Sequence, residues 1–240
     1  MSLKVEFIGH ACYRIWQDGK PLVVTDPYTH SDVGLEDDGK KLESEYVIVS
    51  SLIDLSHNNY GMVEGTPKVI NALDVATGAA SATINGEPVI GIPAAEHPEH
   101  PTGPDDNGMY AFKAGGLWFA HIGDLGFGMT EAELAPWVGH CDVLMAITGQ
   151  SYSLSLQELD GLIDYLKPKI VLPMHYHLPP PGGPMLPLAD FLNRRPDDPV
   201  IIANSTTIEL PLPEIKPGHP TIVVLKPAGY TPTKAQLNYS

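Results

Sequence analysis

The chain has 240 residues, 43% of them hydrophobic, with 29 acidic and 14 basic residues and a formal net charge of −15. This composition can fill a sizeable core in one large domain or two small ones. The acidic balance argues against nucleic acid or an anionic membrane as the main partner, because both bind basic surfaces.

The cysteine content and the hydropathy bear on the compartment. Cys12 and Cys141 are too few for a disulfide framework, and no apolar stretch approaches the ~20 residues of a membrane span. Nothing in the sequence resembles a signal peptide. We therefore expect a cytoplasmic protein with buried thiols and a small-molecule substrate. The sequence does not indicate an oligomeric state.

The first half of the chain is predicted to consist mostly of strands. Short runs rich in β-branched and aromatic residues are separated by turn signals such as Asp18-Gly19. The turn at Gly115-Gly116 joins the last two runs and is typical of a hairpin. The predicted strands cover residues 5–8, 12–16, 22–25, 46–50, 81–84, 89–92, 109–113 and 117–122.

Helices appear in the second half. A capping-box pattern predicts a helix that begins at Thr130 and ends at Gly139. Helical spacing of apolar residues predicts another over 155–166, between apolar strands at 141–147 and 170–174. This strand–helix–strand order implies a parallel pair with a crossover helix.

The remaining segments complete a single predicted domain. A Pro/Gly-rich stretch over 178–187 is interpreted as a loop over the site rather than a linker, because strands resume after it. Those strands are predicted at 200–203, 206–210 and 221–225. The domain is expected to span 1–226, followed by a polar, loosely held tail over 227–240.

Residues that can bind a metal stand where predicted strands end. Asp124 and His175 each come just after an apolar strand, and His97 and His100 follow the strand at 89–92. Side chains at strand ends are held rigidly by the sheet, which suits a metal or catalytic site. The pattern predicts such a site, assembled from distant parts of the chain.

These motifs resemble the metallo-β-lactamase superfamily, and within it a branch of small bacterial lactonase-like proteins and predicted zinc-dependent hydrolases. The similar segments are 7–13, 25–28, 92–97, 123–126 and 173–176, so the resemblance covers almost the whole chain. It implies an α+β fold, an αββα sandwich of two mixed β-sheets packed face to face with helices outside. It also implies a one- or two-metal site at one edge of the sheets.

The hallmark of this family, His-x-His-x-Asp-His, is degenerate here. In the register that fits the residues on both sides, Leu52 replaces the first histidine, Asp54 the second, and Ser56 the aspartate. Only His57 is retained. The register one residue earlier would leave no ligand of the motif at all.

The resemblance implies a reduced metal site. The second metal position of the family would keep His57, Asp124 and His175, whereas the first would keep Asp54, His97 and the bridging Asp124. Two histidines, one carboxylate and an open position form a catalytic zinc arrangement. We therefore expect one divalent metal, zinc, with manganese or iron as alternatives.

For four histidines and one aspartate, the sequence allows more than one role. His100 competes with His97, and His177 is a substitute ligand just beyond the last motif. His10 follows a glycine at a strand end and is interpreted as a structural hydrogen-bonding residue. Asp26 precedes a proline and is predicted to bond backbone amides in a turn. For His57, an asparagine-rich turn could hold the ring without a metal.

The predicted catalytic residues are Asp54 and Asp124. A bound metal activates water and polarises a carbonyl or phosphoryl oxygen, but Ser56 cannot serve as the base because its hydroxyl stays protonated. The sequence therefore favours a metal-dependent hydrolase of a small ester, lactone or phosphoester. The alternatives are a catalytically inactive ligand-binding or scaffold module on the same fold, and a metal enzyme that is not a hydrolase.

Overall fold

The computed structural model describes residues 2–35, 37, 39–97, 106–150, 153–178 and 185–228. The strands are β1 (Leu3–Gly9), β2 (Cys12–Gln17), β3 (Lys20–Thr25), β4 (Tyr46–Val49), β5 (Lys68–Asn71), β6 (Thr83–Ile84), β7 (Glu87–Pro88), β8 (Ile90–Ala94), β9 (Asn107–Ala114), β10 (Leu117–His121), β11 (Val143–Ile147), β12 (Ile170–Met174), β13 (Val200–Ile202), β14 (Thr207–Leu210) and β15 (Thr221–Val224). The helices are α1 (Ala72–Thr77), α2 (Glu131–Leu134), α3 (Leu156–Leu166) and α4 (Leu188–Arg194).

Most strands belong to two mixed sheets. The first sheet has the order β14-β1-β2-β3-β4-β5, and the second has the order β13-β15-β12-β11-β10-β9-β8. Strands β6 and β7 form a separate antiparallel pair. The prediction of two mixed sheets with few helices is confirmed.

The directions of the strands explain why ligand-type residues from distant segments share one edge. In the first sheet β1 and β3 run the same way, because both are antiparallel to β2, and β4 is parallel to β3. In the second sheet β10, β11 and β12 are parallel, and β8 matches β10 because both are antiparallel to β9. The carboxyl ends of these strands therefore lie together at one edge of each sheet.

The two-residue period of the strands fills two apolar clusters. In β4, Tyr46 and Ile48 contact the large core, whereas Val47 and Val49 pack in a smaller cluster on the opposite face. The large core also contains fully buried aromatic residues of both sheets, among them Phe7 of β1. Each such side chain contributes roughly 1.5–3 kcal/mol by leaving water. This packing fixes the two sheets relative to each other.

Helix α1 lies directly on β8 and β9 because two strand residues there have no side chain. A Cβ atom at Gly108 would lie 2.3 Å from the amide nitrogen of Leu73, and one at Gly91 would lie 2.5 Å from Cα of Ala76. Any larger residue at either position would push the helix away from the sheet.

Several predicted elements are confirmed. The hairpin of β9 and β10 forms as expected, and β11 and β12 are parallel with α3 between them. Helix α2 ends earlier than predicted, at Leu134, and continues as a 3₁₀ turn (Ala135–Trp137) that contains Pro136. A proline lacks the amide proton that would continue the α-helical pattern.

Four of these strands and helices were not predicted from the sequence: β5, α1, β7 and α4. Most of the predicted loop over 178–187 and of the predicted tail over 227–240 lies outside the described residues. In the described part of the chain, no helix has the length and apolar character needed to cross a membrane.

The glycine contact beneath α1 can be tested by a pair of alanine substitutions. We expect Gly108→Ala to lower the free energy of unfolding by about 1–3 kcal/mol, because the new methyl group overlaps the backbone of α1. Gly161→Ala lies in α3 with open space around it, and should raise that free energy by about 0.5–1 kcal/mol. Urea unfolding of both variants measures the difference. Equal effects of the two substitutions would contradict the packing described.

Candidate metal centre

Side chains from several strand ends meet at the shared edge of the two sheets. The Nε2 atom of His57 lies 3.6 Å from Oδ2 of Asp124 and 3.8 Å from Oδ2 of Asp54. The Nε2 atom of His175 lies 3.8 Å from Oδ1 of Asp124. The structure thus brings together four of the residues predicted for the site.

Two overlapping groups of ligand-type residues occur here among the described residues. One group consists of His10, His57 and His175, and the other of Asp54, His57 and Asp124. Within each group, one potential ligand atom from each residue lies within 4.8 Å of the others. His57 belongs to both groups, so it stands at the centre of the arrangement.

Buried polar atoms without a hydrogen-bond partner are concentrated at this edge. In the part of the chain that the structure describes, five buried side-chain atoms lack such a partner: His10 Nε2, His57 Nε2, His175 Nδ1, Asp124 Oδ1 and Ser153 Oγ. Leaving such an atom unsatisfied costs roughly 1–3 kcal/mol, and folded proteins rarely do so. Four of the five atoms belong to one cluster of imidazole and carboxylate groups, which is the donor chemistry of a divalent metal site. The residues present therefore fit a metal ion.

His121 shows what a structural histidine looks like in the same region. Its ring is fully buried, Nε2 lies 2.9 Å from the carbonyl oxygen of Ala11, and Nδ1 accepts a hydrogen bond from the amide of Gly123 at 3.0 Å. Burial lowers its pKa, so the ring is neutral, with the proton on Nε2. Both nitrogens are satisfied within the protein, in contrast to the Nε2 atoms of His10 and His57.

Asp26 fixes the orientation of His57. Its fully buried carboxylate lies 2.8 Å from Nδ1 of His57, accepts from the amide and hydroxyl of Ser50 at 2.8 and 2.7 Å, and accepts from the hydroxyl of Tyr110 at 3.1 Å. A carboxylate on Nδ1 holds the proton there and directs the lone pair of Nε2 outward, as in many metal-binding histidines. The sequence predicted only the bond to a backbone amide, and the contact with His57 was missed.

The electrostatics of the cluster favour a cation. Burial lowers the pKa of His10 and of His175, so both imidazoles are neutral and able to donate a lone pair. Burial also opposes charge on His57, but the carboxylates of Asp124 and Asp26 outweigh burial and raise its pKa well above the usual value. The Nε2 atom therefore favours a positive partner: it carries a proton when no metal is bound, and a metal ion bound there would displace that proton. Both carboxylates have lowered pKa values despite their burial, because neighbouring histidines stabilise their ionised forms.

Three residues of this edge adopt an uncommon backbone conformation. The φ angles of His10, Asp26 and His175 are 50°, 36° and 51°, in the left-handed region that residues other than glycine seldom occupy. Such conformations cost about 1–3 kcal/mol each and cluster at functional sites. The amide of His175 donates to the carbonyl oxygen of His10 at 2.9 Å, which joins the two sheets directly at the cluster.

Asn107 positions the loop that carries Asp124. Its Oδ1 accepts from the amide of Asp124 at 3.0 Å, and its Nδ2 donates to the carbonyl oxygen of Ile122 at 3.2 Å. Gly123, with φ of 59°, passes so close that a Cβ atom would lie 2.1 Å from Oδ1 of Asn107. The glycine before Asp124 is therefore required both for the turn and for this contact.

The residues that replace the motif, Leu52, Asp54 and Ser56, differ in exposure and in hydrogen bonding. Leu52 is 52% exposed, so it does not replace the buried ligand expected at its position. Ser56 donates a hydrogen bond from its hydroxyl to Oδ1 of Asp54 at 2.6 Å, and another from its amide at 2.9 Å. The serine at the position of the motif aspartate thus holds Asp54, whose Oδ2 remains directed toward His57.

His97 is less closely associated with the cluster. Its side chain is 46% exposed, its Nε2 lies 3.8 Å from Oε1 of Glu96, and neither ligand-type group includes it. A metal-binding role for His97 stays a prediction. Glu96, which sequence analysis did not single out, is half-buried, and burial together with the charges of Asp124 and Asp54 raises its pKa.

The sequence offers two alternative ligands, His100 and His177. His100 lies outside the described residues. The backbone amide of His177 donates to the carbonyl oxygen of Leu186 at 3.1 Å, and its side chain belongs to neither group.

Comparison with known proteins identifies the family. The profile of the beta-lactamase superfamily domain matches residues 4–175, which include His57, Asp124 and His175. The chain therefore belongs to the metallo-β-lactamase superfamily, and the expected αββα fold is confirmed.

Individual relatives are similar over most of the chain. A UPF0173 metal-dependent hydrolase of Thermococcus kodakarensis is 24% identical over 202 residues, which are 75% of this chain and 87% of the relative. A solved structure from Thermotoga maritima, assigned to the Zn-dependent hydrolases of the superfamily, is 25% identical in sequence and superimposes with a TM-score of 0.67. The alignment covers 93% of this chain and 98% of the Thermotoga chain. Igni18, a metallo hydrolase of Ignicoccus hospitalis, is 17% identical in sequence with a TM-score of 0.58. That alignment covers 81% of this chain and 90% of Igni18.

The role of Asp26 can be measured by stability. Asp26→Ala removes the partner of four hydrogen bonds in a fully buried site, so we expect the free energy of unfolding to fall by about 3–5 kcal/mol. Tyr110→Phe removes one of these bonds and should cost about 1 kcal/mol. Urea unfolding monitored by circular dichroism provides both values. A similar, small effect of the two substitutions would show that Asp26 does not organise this edge.

Proposed function

We propose that this protein is a metal-dependent hydrolase with a single divalent cation, zinc in the first instance, acting on a small ester, lactone or phosphoester. The cation would be bound by His57, Asp124 and His175, with Asp54 beside it. The observation that carries the proposal is the convergence of unpartnered, buried imidazole and carboxylate atoms at one strand edge. The relatives named metal-dependent hydrolases support the same reaction class.

A single metal is favoured over two because the first metal position lacks ligands. Leu52 is exposed and offers no ligand atom there. One oxygen of Asp54 accepts two hydrogen bonds from Ser56, which leaves the other as a potential donor. His97 lies outside both ligand-type groups. At the second position, by contrast, the Nε2 atoms of His57 and His175 lie 3.6 and 3.8 Å from the carboxylate oxygens of Asp124.

The residues of the chain would divide the chemistry as follows. A bound divalent cation lowers the pKa of water and polarises the carbonyl or phosphoryl oxygen of a substrate. Asp54 would accept the proton of the attacking water through Oδ2, because Ser56 occupies Oδ1 and fixes the side chain. Asp124 would hold the cation, and Asp26 would keep the proton of His57 on Nδ1 so that Nε2 stays available.

A cytoplasmic location belongs to this proposal. Both cysteines are free and buried, Cys12 in the smaller apolar cluster and Cys141 in the large core. Burial raises the pKa of each thiol, so neither is activated as a nucleophile. Unpaired, unreactive thiols are compatible with a reducing compartment.

Metal content and turnover test the proposal. We expect purified protein, reconstituted with zinc, manganese or ferrous iron, to retain about one equivalent of metal by mass spectrometry. It should then hydrolyse at least one member of a panel comprising 4-nitrophenyl acetate, γ-butyrolactone and bis(4-nitrophenyl) phosphate, and chelation should abolish the activity. Protein that retains no metal after reconstitution would favour the non-catalytic alternative, a ligand-binding or scaffold module.

The role of Asp54 has a matched control. Asp54→Asn keeps the size of the side chain but removes the base, so kcat should fall by roughly 10²–10⁴ while one equivalent of metal is retained. Asp32→Asn, on an exposed turn, should leave both values unchanged. If Asp54→Asn turns over at the normal rate, another group accepts the proton.

Restoring the family motif tests the single-metal proposal. The triple variant Leu52→His, Asp54→His, Ser56→Asp rebuilds the ligands of the first position, and we expect its metal stoichiometry to rise from one toward two. Equilibrium dialysis with zinc measures the change. An unchanged stoichiometry would mean that the loop after β4 cannot bring these side chains into the site, or that the register assigned to the motif is wrong.

A further inference from the structure

We propose that His10 is a metal ligand, and that its imidazole compensates for the histidine lost at Leu52. The proposal rests on the metal site proposed above and extends it with a residue from β1's carboxyl end, which lies outside the His-x-His-x-Asp-His motif. The centre would then contain the three imidazoles of His10, His57 and His175 with the carboxylate of Asp124.

The position of the ring supports this role. The centroid of the His10 ring lies 4.2 Å from that of His175 and 5.1 Å from that of His57, and the last two are 6.0 Å apart. One nitrogen from each ring lies within 4.8 Å of the others. Nitrogens that share one tetrahedral zinc are about 3.4 Å apart, given Zn–N bonds of about 2.0–2.1 Å. Small rotations of the side chains would bring the three rings to that spacing.

The burial of His10 argues against a purely structural role. The residue is 7% exposed, and its Nε2 atom has no hydrogen-bond partner. His121, buried in the same region, has both ring nitrogens bonded to backbone groups. A structural histidine would be expected to resemble His121, because an unsatisfied buried nitrogen costs roughly 1–3 kcal/mol. A cation shared with His57 would remove that cost.

The backbone holds the ring at the cluster. His10 occupies the left-handed region and its carbonyl oxygen accepts from the amide of His175, so two of the proposed ligands are linked through the main chain. Gly9 before it has φ of 142°, and a Cβ there would lie 2.8 Å from the hydroxyl of Tyr28. The end of β1 is thus shaped to direct His10 at the site.

Metal affinity and ligand-field spectra test the assignment without relying on turnover. The variants are His10→Asn, His175→Asn and, as a control, His140→Asn, which lies just before β11 and away from the ligand edge. Asparagine tolerates the left-handed backbone but lacks the imidazole. We expect His10→Asn to weaken Zn²⁺ binding in a chelator competition by more than the roughly 10- to 100-fold caused by losing a residue that only supports a ligand, and to shift the visible bands of bound Co²⁺. Added imidazole should restore those bands, which a merely structural role would not allow.

The outcomes separate this inference from the function on which it rests. If wild type and His10→Asn bind Zn²⁺ equally and give the same Co²⁺ spectrum while His175→Asn is impaired, His10 is not a ligand and the proposed centre survives without it. If wild type binds neither ion, both proposals fail. Should His10→Asn not fold, ¹⁵N spectra of the wild-type histidine rings decide. A ring nitrogen of His10 must shift on titration with Zn²⁺, and an unmoved signal overturns the assignment.

Discussion

The structure of the site depends on one buried carboxylate, that of Asp26. The carboxylate is fully buried. It forms hydrogen bonds with Ser50 and His57, which lie in the loop after β4, and with the hydroxyl of Tyr110, which lies on the other sheet. A buried charge is tolerated only when its hydrogen bonds are complete, so these groups must keep their relative positions for the protein to remain folded. The same carboxylate holds a proton on Nδ1 of His57, and therefore links the stability of the sandwich to the orientation of Nε2, the nitrogen proposed to bind the metal.

Much of the site's location could be read from the sequence. Asp124 and His175 each follow an apolar strand, and parallel strands of one sheet end at one edge, so their proximity follows from secondary structure alone. The family resemblance supplied the fold and the register of His57. Elements without a strong period, such as β5 and α1, were not predicted, because β5 is defined by its pairing with β4 and α1 by its contacts with Gly91 and Gly108 of the other sheet.

Other properties of the site depend on tertiary structure and could not be predicted. Whether a histidine nitrogen is satisfied is decided by atoms far away in the sequence, as the contrast between His10 and His121 shows. The role of Asp26 beyond a turn was missed for the same reason, since its partner Tyr110 lies on the other sheet. The exposure of His97 likewise depends on how the chain leaves β8.

The loss of the family motif has been accompanied by a coherent local structure. In the register proposed for the motif, the exposed Leu52 would leave the first metal position without its leading ligand, and the hydroxyl of Ser56 donates to Asp54. The acidic and imidazole groups that remain are concentrated on one side, around His57. If the proposed ligands are correct, this fold would compensate for the lost motif donors with His10, a residue from another strand end.

The main-chain bond between His175 and His10 has a consequence for how such a protein would mature. Its two ends follow the first and the twelfth strands, so the bond forms only after residue 175 has left the ribosome and the sheets have docked. A partly synthesised chain would present isolated imidazoles with no common focus. Capture of an ion would thus be a late event, and a truncated or misassembled product would be unable to sequester scarce metal in the cell.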